Sequence, residues 1–323
     1  MEKDFFPNAN KIIKYHESHN YWVFKTGEKI YKVKKRGAIK SSASLEEIFC
    51  REMVRRLRHY SPTLQPEIAT IKKDQQGFQL DRDNRISSPV LYHVIIMNQL
   101  SDRYFLSNFI DKGKLTSKVM DRVSRFLVEL HEKAESAPSK DEGTAKLILQ
   151  KLNDLIYQSK KYMGLTISQP MIDMTLHPLE KYIADNRKLL LRRNKRGLIK
   201  EVHGCFIPRK IYVSPETVLA LTKTTDPLKN RYADVVADIA DLTVELVQRG
   251  ESEMASSFVE SYCKNTEDRE IKMVLPIYQA LNCLSQGLDH SIACKQHDAK
   301  TAEAIKQKAT AYFEQAIEVV HQL

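Results

Sequence analysis

Along this chain the apolar positions change character near residue 100. Before that point strand-like alternation dominates around a single helical stretch, and after it the apolar residues recur at every third or fourth position. Tyr21-Trp22-Val23-Phe24-Lys25 and Ile30-Tyr31-Lys32-Val33-Lys34 are rich in β-branched and aromatic residues, and Thr26-Gly27-Glu28 lies between them. That combination predicts a β-hairpin. The polar segment from Ile12 to His19 reads as a lead-in. Alternation puts Lys32 on one strand face with Ile30 and Lys34, and Tyr31 with Val33 on the other. Taken alone, this is an exposed basic edge. Ser44 and Glu47 form a capping-box pattern ahead of a helix carrying Leu45, Ile48, Phe49, Met53 and Leu57. Glu52 falls on the apolar side of that helix, where a carboxylate calls for a cationic partner. Pro62 and Pro66 end the helix. Strands are expected around Glu67–Ile71 and Gly77–Leu80, and Leu91–Met97 is the most strand-like run.

Past Asn98-Gln99-Leu100-Ser101 the pattern is helical. Val119, Val123, Phe126, Leu127 and Leu130 share a face. Further helices are expected over Leu147–Ile156 and Leu176–Leu191. A loop with short strands begins at Glu201. A long helix then carries Val235, Ile239, Leu242 and Leu246 and ends near Gly250, followed by Met254–Cys263, Val274–Leu288 and Thr301–Val320. The resulting division is a β-rich part over residues 1–100 and a helical part over 101–323.

Composition adds limits to this plan. The 323 residues are 42% hydrophobic and 28% charged, ordinary for a globular chain, with a net charge of +10. That sign favours anionic partners. Three basic runs form a candidate nucleic-acid footprint: Lys32 to Arg36, Arg51 to Arg58, and Arg187 to Arg196. The same runs also fit solvated helix faces, and no aromatic-interleaved RNA-binding motif accompanies them. Cys50, Cys205, Cys263, Cys283 and Cys294 are scattered with no Cys-x-x-Cys spacing, which argues against zinc and disulfides and for a reducing compartment. His16 and His19 have no neighbouring ligands to complete a metal site. The acids in Met1-Glu2-Lys3-Asp4 do not suit a signal peptide. No run approaches the ~18 apolar residues of a membrane span. A cytoplasmic protein without membrane partners is the expectation.

Several stretches resemble a known family. They are Glu17-Ser18-His19-Asn20-Tyr21-Trp22-Val23, Tyr31-Lys32-Val33-Lys34-Lys35, Phe49-Cys50-Arg51-Glu52, and a helix opening at Leu115-Thr116 and closing on Leu130-His131. The resemblance resumes at Val202-His203-Gly204 and runs through Tyr262. It is to the aminoglycoside-phosphotransferase-like proteins, in particular a bacterial branch often fused to a P-loop ATP-binding domain. It implies an α+β, two-lobed, protein-kinase-like fold with a β-rich N-lobe holding one helix, a hinge, and a mainly helical C-lobe.

Carried over by position, Lys32 matches the lysine that grips the nucleotide α- and β-phosphates, and Glu52 matches its carboxylate partner. Met97 to Leu100, including Gln99, match the hinge that faces adenine. The family's catalytic loop reads His-Gly-Asp, four residues, then Asn. Here His203 and Gly204 are kept, Cys205 replaces the base, and Lys210 replaces the metal-binding Asn. Thr222 stands where an Asp would meet magnesium. Asp234 and Asp238 match acids that brace the loop. A thiol is a weak acceptor, and these substitutions leave no carboxylate for a hard cation.

The implied reading is a pseudokinase, a binding or regulatory module. It would hold ATP, another nucleotide or another phosphate weakly and without metal, through Lys32, Lys210 and Lys223 with Arg209 nearby. A decayed pocket with those side chains in water is the plainer alternative. Other readings are an active small-molecule phosphotransferase using the displaced acid Asp226, a nucleic-acid-binding protein, and a Cys205 nucleophile served by His203, although residues two apart in a loop rarely face each other. No Gly-x-x-x-x-Gly-Lys-Ser/Thr occurs, so a P-loop ATPase would have to come as a separate protein partner.

Overall fold

The computed structural model describes residues 14–17, 21–35, 43–75, 77–139, 143–222, 232–296 and 298–323. The chain divides into two compact units, Met1–Asn108 with Lys210–Lys229, and Phe109–Arg209 with Asn230–Leu323.

The first unit is built on an antiparallel sheet. Its strands are β1 (Lys14–Glu17), β2 (Tyr21–Lys25), β3 (Lys29–Lys34), β4 (Glu67–Asp74), β5 (Gly77–Asp81) and β6 (Val90–Asn98), in the order β1-β2-β3-β6-β4-β5. The expected hairpin is β2–β3. Its turn is closed by the Thr26 N–H donating to the Lys29 carbonyl at 3.0 Å, and Gly27 supplies the left-handed backbone at φ 92°. The segment read as a lead-in contributes β1, an exposed edge strand paired with β2, where Tyr15 meets Phe24.

Strand alternation sends two sets of apolar residues to opposite faces. Phe24, Tyr31, Val33, Ala69, Ile71, Val94 and Ile96 pack together on one face. On the other, Tyr21, Ile95 and Met97 meet Cys50, Met53, Val54 and Leu57 of helix α1 (Ala43–Tyr60). Behind β5, the loop to β6 is organised by a buried cation. The Lys72 ammonium pairs with Asp81 at 3.0 Å and donates to Asn84 Oδ1 and the Ile86 carbonyl, both at 2.6 Å.

A second hairpin, β8 (Ile211–Val213) with β9 (Val218–Ala220), belongs to this unit, an assignment that a single cut at residue 100 leaves out. Its attachments explain the grouping. Ser61 Oγ donates to the Ala220 carbonyl at 2.8 Å, and Phe105 bridges to Tyr212.

The helical elements are α2 (Leu106–Asp111), α3 (Ser117–Lys133), α4 (Ala145–Ser159), α5 (Gln169–Asp185), α6 (Arg187–Lys195), α7 (Val236–Gln248), α8 (Ser252–Lys264), α9 (Ile271–Cys294) and α10 (Ala299–His321). The single helix expected over Leu176–Leu191 is two, α5 and α6. Asn186 separates them, its backbone N–H and its side-chain amide both donating to the Tyr182 carbonyl, at 3.0 and 2.9 Å. Strands β7 (Ile199–Glu201) and β10 (Tyr232–Asp234) pair antiparallel and lead the chain into α7. The α9–α10 contact is close at Gly287, where a Cβ would lie 2.7 Å from the Phe313 ring. Among the described residues no helix is long and apolar enough to cross a membrane.

Candidate functional site

In the first unit the site forms around Lys32 at the centre of β3. Strand pairing sets it opposite Val23 of β2 and Ile95 of β6, on the face that α1 covers. Among the described residues no hydrogen bond or ion pair holds its ammonium, although the side chain is only partly exposed. Burial pushes the Lys32 amine down to about 7, with further lowering by the like charges of Lys210 and Lys25. Lys25 is itself tied to Asp102 at 3.1 Å.

The helix carboxylate expected to pair with Lys32 does not do so. Glu52 takes two hydrogen bonds from Arg55, one turn along its own helix, at 2.7 and 2.8 Å. An arginine three residues away forms a bidentate pair at little entropic cost, which removes Glu52 from competition. The next inward lysine is settled differently. Lys34 is 1% exposed and lies over the Tyr21 ring, 4.9 Å from its centroid.

Lys210 closes the short turn that precedes β8. Its carbonyl accepts the Leu221 N–H at 2.8 Å, and its ammonium donates to the Thr222 carbonyl at 3.1 Å. The Lys210 side chain thus crosses the open end of the β8–β9 hairpin and fixes a positive charge beside buried Thr222. This donor set does not fit magnesium. Among the described residues here, an ammonium occupies the Thr222 carbonyl, and Thr222 brings a hydroxyl in place of a carboxylate. Lys223 and Asp226 lie outside the described residues.

The hinge candidates divide. Met97 is buried in the core between sheet and helix. Gln99 ties the β2–β3 turn to the end of β6, its N–H donating to the Glu28 carbonyl at 2.8 Å and its Oε1 accepting the Gly27 N–H at 3.1 Å. The Gln99 backbone donor is therefore already engaged.

The second unit holds the loop. Asp238, fully buried on α7, accepts the His203 N–H on Oδ2 and the Gly204 N–H on Oδ1, both at 2.7 Å, and Gly204 turns with φ 70°. The His131 Nε2 lies 3.1 Å from Asp238 Oδ2, and Tyr262 OH lies 2.7 Å from His131 Nδ1. Burial would raise the Asp238 carboxyl, but the hydrogen bonds and charges around it hold it below its ordinary value. Cys205 is buried, and the His203 ring meets Phe206 edge-on at 5.7 Å.

Sequence reasoning missed Asp241. One turn beyond Asp238, it accepts the Phe206 N–H at 3.1 Å and a hydrogen bond from the Asn282 amide. Its signal was available: two acids three residues apart on an otherwise apolar helix share a face.

Asp234, matched to the same bracing role, acts elsewhere. It caps α7 through the Val236 N–H and receives Arg193 on both oxygens, at 2.6 and 2.9 Å. Asp268 meets the same guanidinium at 2.7 Å. Arg193 has no exposed surface, and Arg192 and Arg196 pair with Glu270 at 2.5 and 3.2 Å. In the earlier basic run Arg51 pairs with Glu47, Arg55 pairs with Glu52, and buried Arg56 lies over Tyr60. Much of the candidate nucleic-acid footprint is thus taken up internally.

With this geometry in view, the chain superimposes on a choline/ethanolamine kinase family protein from Mesorhizobium loti with a TM-score of 0.56. The two are 14% identical, over 98% of this chain and 96% of the other. A choline kinase from Cryptosporidium parvum gives a TM-score of 0.57 at 10% identity, over 99% and 94%. An ADP-bound aminoglycoside phosphotransferase gives 0.52 at 14% identity, over 95% of each. The chain has the kinase-like fold of these phosphotransferases. At such identities the likeness establishes the fold alone. No family model matches the chain. In sequence it is 20% identical over 178 residues to uncharacterized proteins of Mycobacterium tuberculosis and Mycobacterium bovis. That match takes in 54% of this chain and about a third of the relatives' length, 35%.

Proposed function

We propose that this kinase-like chain binds an anion, a nucleotide or another phosphate compound, through lysines in place of a metal. It serves as a binding or regulatory module, with no phosphoryl transfer. The observation that carries the reading is the Lys210 ammonium seated on the Thr222 carbonyl at 3.1 Å, beside a Lys32 whose charge no described carboxylate neutralises. An amine whose charge is lowered by burial and by a like-charged neighbour gains most from an anion beside it, which supplies the partner that burial denies it. Phosphoryl transfer depends on metal-bridged phosphates and an oriented acceptor hydroxyl. Cys205 and Thr222 supply neither the acid nor the ligand for those tasks.

Titration calorimetry of the full chain with ATP, once with magnesium and once with EDTA, tests this. Heat is expected in both, reduced at least about tenfold in affinity by Lys210→Met, as for loss of one charge-assisted contact. Label on the γ-phosphate is expected to stay on ATP. Absence of heat in both conditions, or transfer that needs Lys32, overturns the proposal.

A further inference from the structure

We infer that the outward face of α6 binds the phosphodiester backbone of a nucleic-acid duplex, without regard to base sequence. The face is what remains of the third basic run once its internal pairs are set aside. At 3.6 residues per turn, Arg187, Lys188, Leu191 and Lys195 fall within about 100° of arc. Arg187 and Lys195 stand about 12 Å apart along the axis. All four side chains are exposed, while Leu189, Leu190 and Arg193 on the opposite side are buried. None of the three cations makes a side-chain hydrogen bond or ion pair with the described residues.

The helix is anchored from beneath. Arg193 ties its middle to Asp234 by two bonds, at 2.6 and 2.9 Å, and to Asp268 by one at 2.8 Å. Arg192 and Arg196 close on Glu270 at 2.5 and 3.2 Å, which brings the start of α9 beside α6. That segment adds the exposed cations Arg269 and Lys272, which bracket Glu270 in the chain. Its acids are mostly engaged. Asp185 is held by Lys181, Asp268 by Arg193 and Glu270 by the two arginines, which leaves Glu267. Five cations free of acids, set against Glu267 on a fixed backbone, make a surface of one sign that a polyanion neutralises.

The side chains between the charges select the polyanion. The large apolar residues exposed there are Leu191 and Met273, at 46% and 48%, and neither offers a ring on which an unpaired base can stack. A single strand therefore gains little. The same lack of an exposed Tyr or Trp removes the usual anchor at a bilayer interface. A protein partner calls for a buried apolar anchor at the centre of its footprint, and Leu191 at the centre is ringed by Arg187, Lys188 and Lys195. A rigid row of point charges matches the regularly repeated phosphates of a duplex, and such contacts fix position without reading bases.

This surface is independent of Lys32 and Lys210, and fluorescence anisotropy of the full-length protein with a labelled DNA duplex tests it over a series of salt concentrations. Five phosphate contacts should make log affinity fall against log salt with a slope of about −4 to −5. Arg187→Ala, Lys188→Ala and Lys195→Ala should each make that slope shallower by about one. Arg187→Glu, Lys188→Glu and Lys195→Glu together should weaken binding at least about a hundredfold at low salt. The triple variant should melt with wild type and give the same heat with ATP, because its three side chains are exposed. A duplex of scrambled sequence should bind as tightly as the first. No binding at about 50 mM salt, or binding that the triple variant retains, overturns the inference. Tighter binding of a single strand, or of phosphatidylglycerol vesicles, through the same three residues also overturns it.

Discussion

Arg193 and Lys32 are both cations turned inward, one in each compact unit, and they have opposite surroundings. Arg193 meets Asp234 on two oxygens and Asp268 on a third bond, and these partners outweigh the burial that would lower its charge. Lys32 is driven down to about 7 by burial, with further lowering by the like charges of Lys210 and Lys25. The first arrangement satisfies itself. It joins α6, the start of α7 and the segment before α9, and it has no capacity left for a ligand. The second has no acid partner among the described residues, which is why the proposed function puts an anion there. The same charge type serves architecture in one unit and, on the proposed reading, recognition in the other.

Arg193→Met should give the largest effect. It leaves Asp234 and Asp268 buried without their cation, and urea unfolding should show a loss of about 3–5 kcal/mol. A loss under 1 kcal/mol would mean that water reaches the pair and that the contrast with Lys32 is weaker than drawn. Lys72→Met should come next. It strands Asp81, whose carboxyl is held down at about 2 by bonds from Ile86, Lys72 and Arg85 despite its burial. The expected signature is a loss smaller than that of Arg193→Met which fades as pH falls. The folded carboxyl is depressed, so its contribution is full above the ordinary carboxylate range and disappears as pH drops through about 2.

Asp238→Asn should follow. The amide can accept one of the two loop N–H bonds but carries no charge for His131, and a loss of about 1–3 kcal/mol is expected by denaturant titration. Lys32→Met should have the opposite sign. The folded amine sits below its unfolded value, so between about 7 and the ordinary lysine range the unfolded chain binds more protons. Wild-type stability from this group therefore rises with pH. The variant should melt higher than wild type near pH 6 and converge with it in alkaline buffer. A variant that melts lower at every pH would show that Lys32 has a structural partner after all.

The kinase-like fold was largely readable in advance. The β2–β3 hairpin followed from alternation and the Thr26-Gly27-Glu28 turn, and the heptad-like stripe of Val119, Val123, Leu127 and Leu130 followed from helical spacing. Resemblance supplied the scaffold of the loop at His203 and Gly204. The strand at Lys14–Glu17 was hidden because its residues are exposed on every side and carry no apolar signal. The α5–α6 break was hidden because it falls at Asn186, with no Gly or Pro to mark it.

What the sequence determined by itself is what depends on near neighbours: period, turn chemistry, and the spacing of His203, Gly204 and Asp238. What only the tertiary structure decided is pairing. Glu52 faces a cation in either case, and nothing in its spacing tells Arg55 from Lys32. Arg193 looks like a surface charge until Asp268, 75 residues away, arrives beside it. Burial and partner choice are sums over contacts distant in the chain, which no local pattern of residues can report.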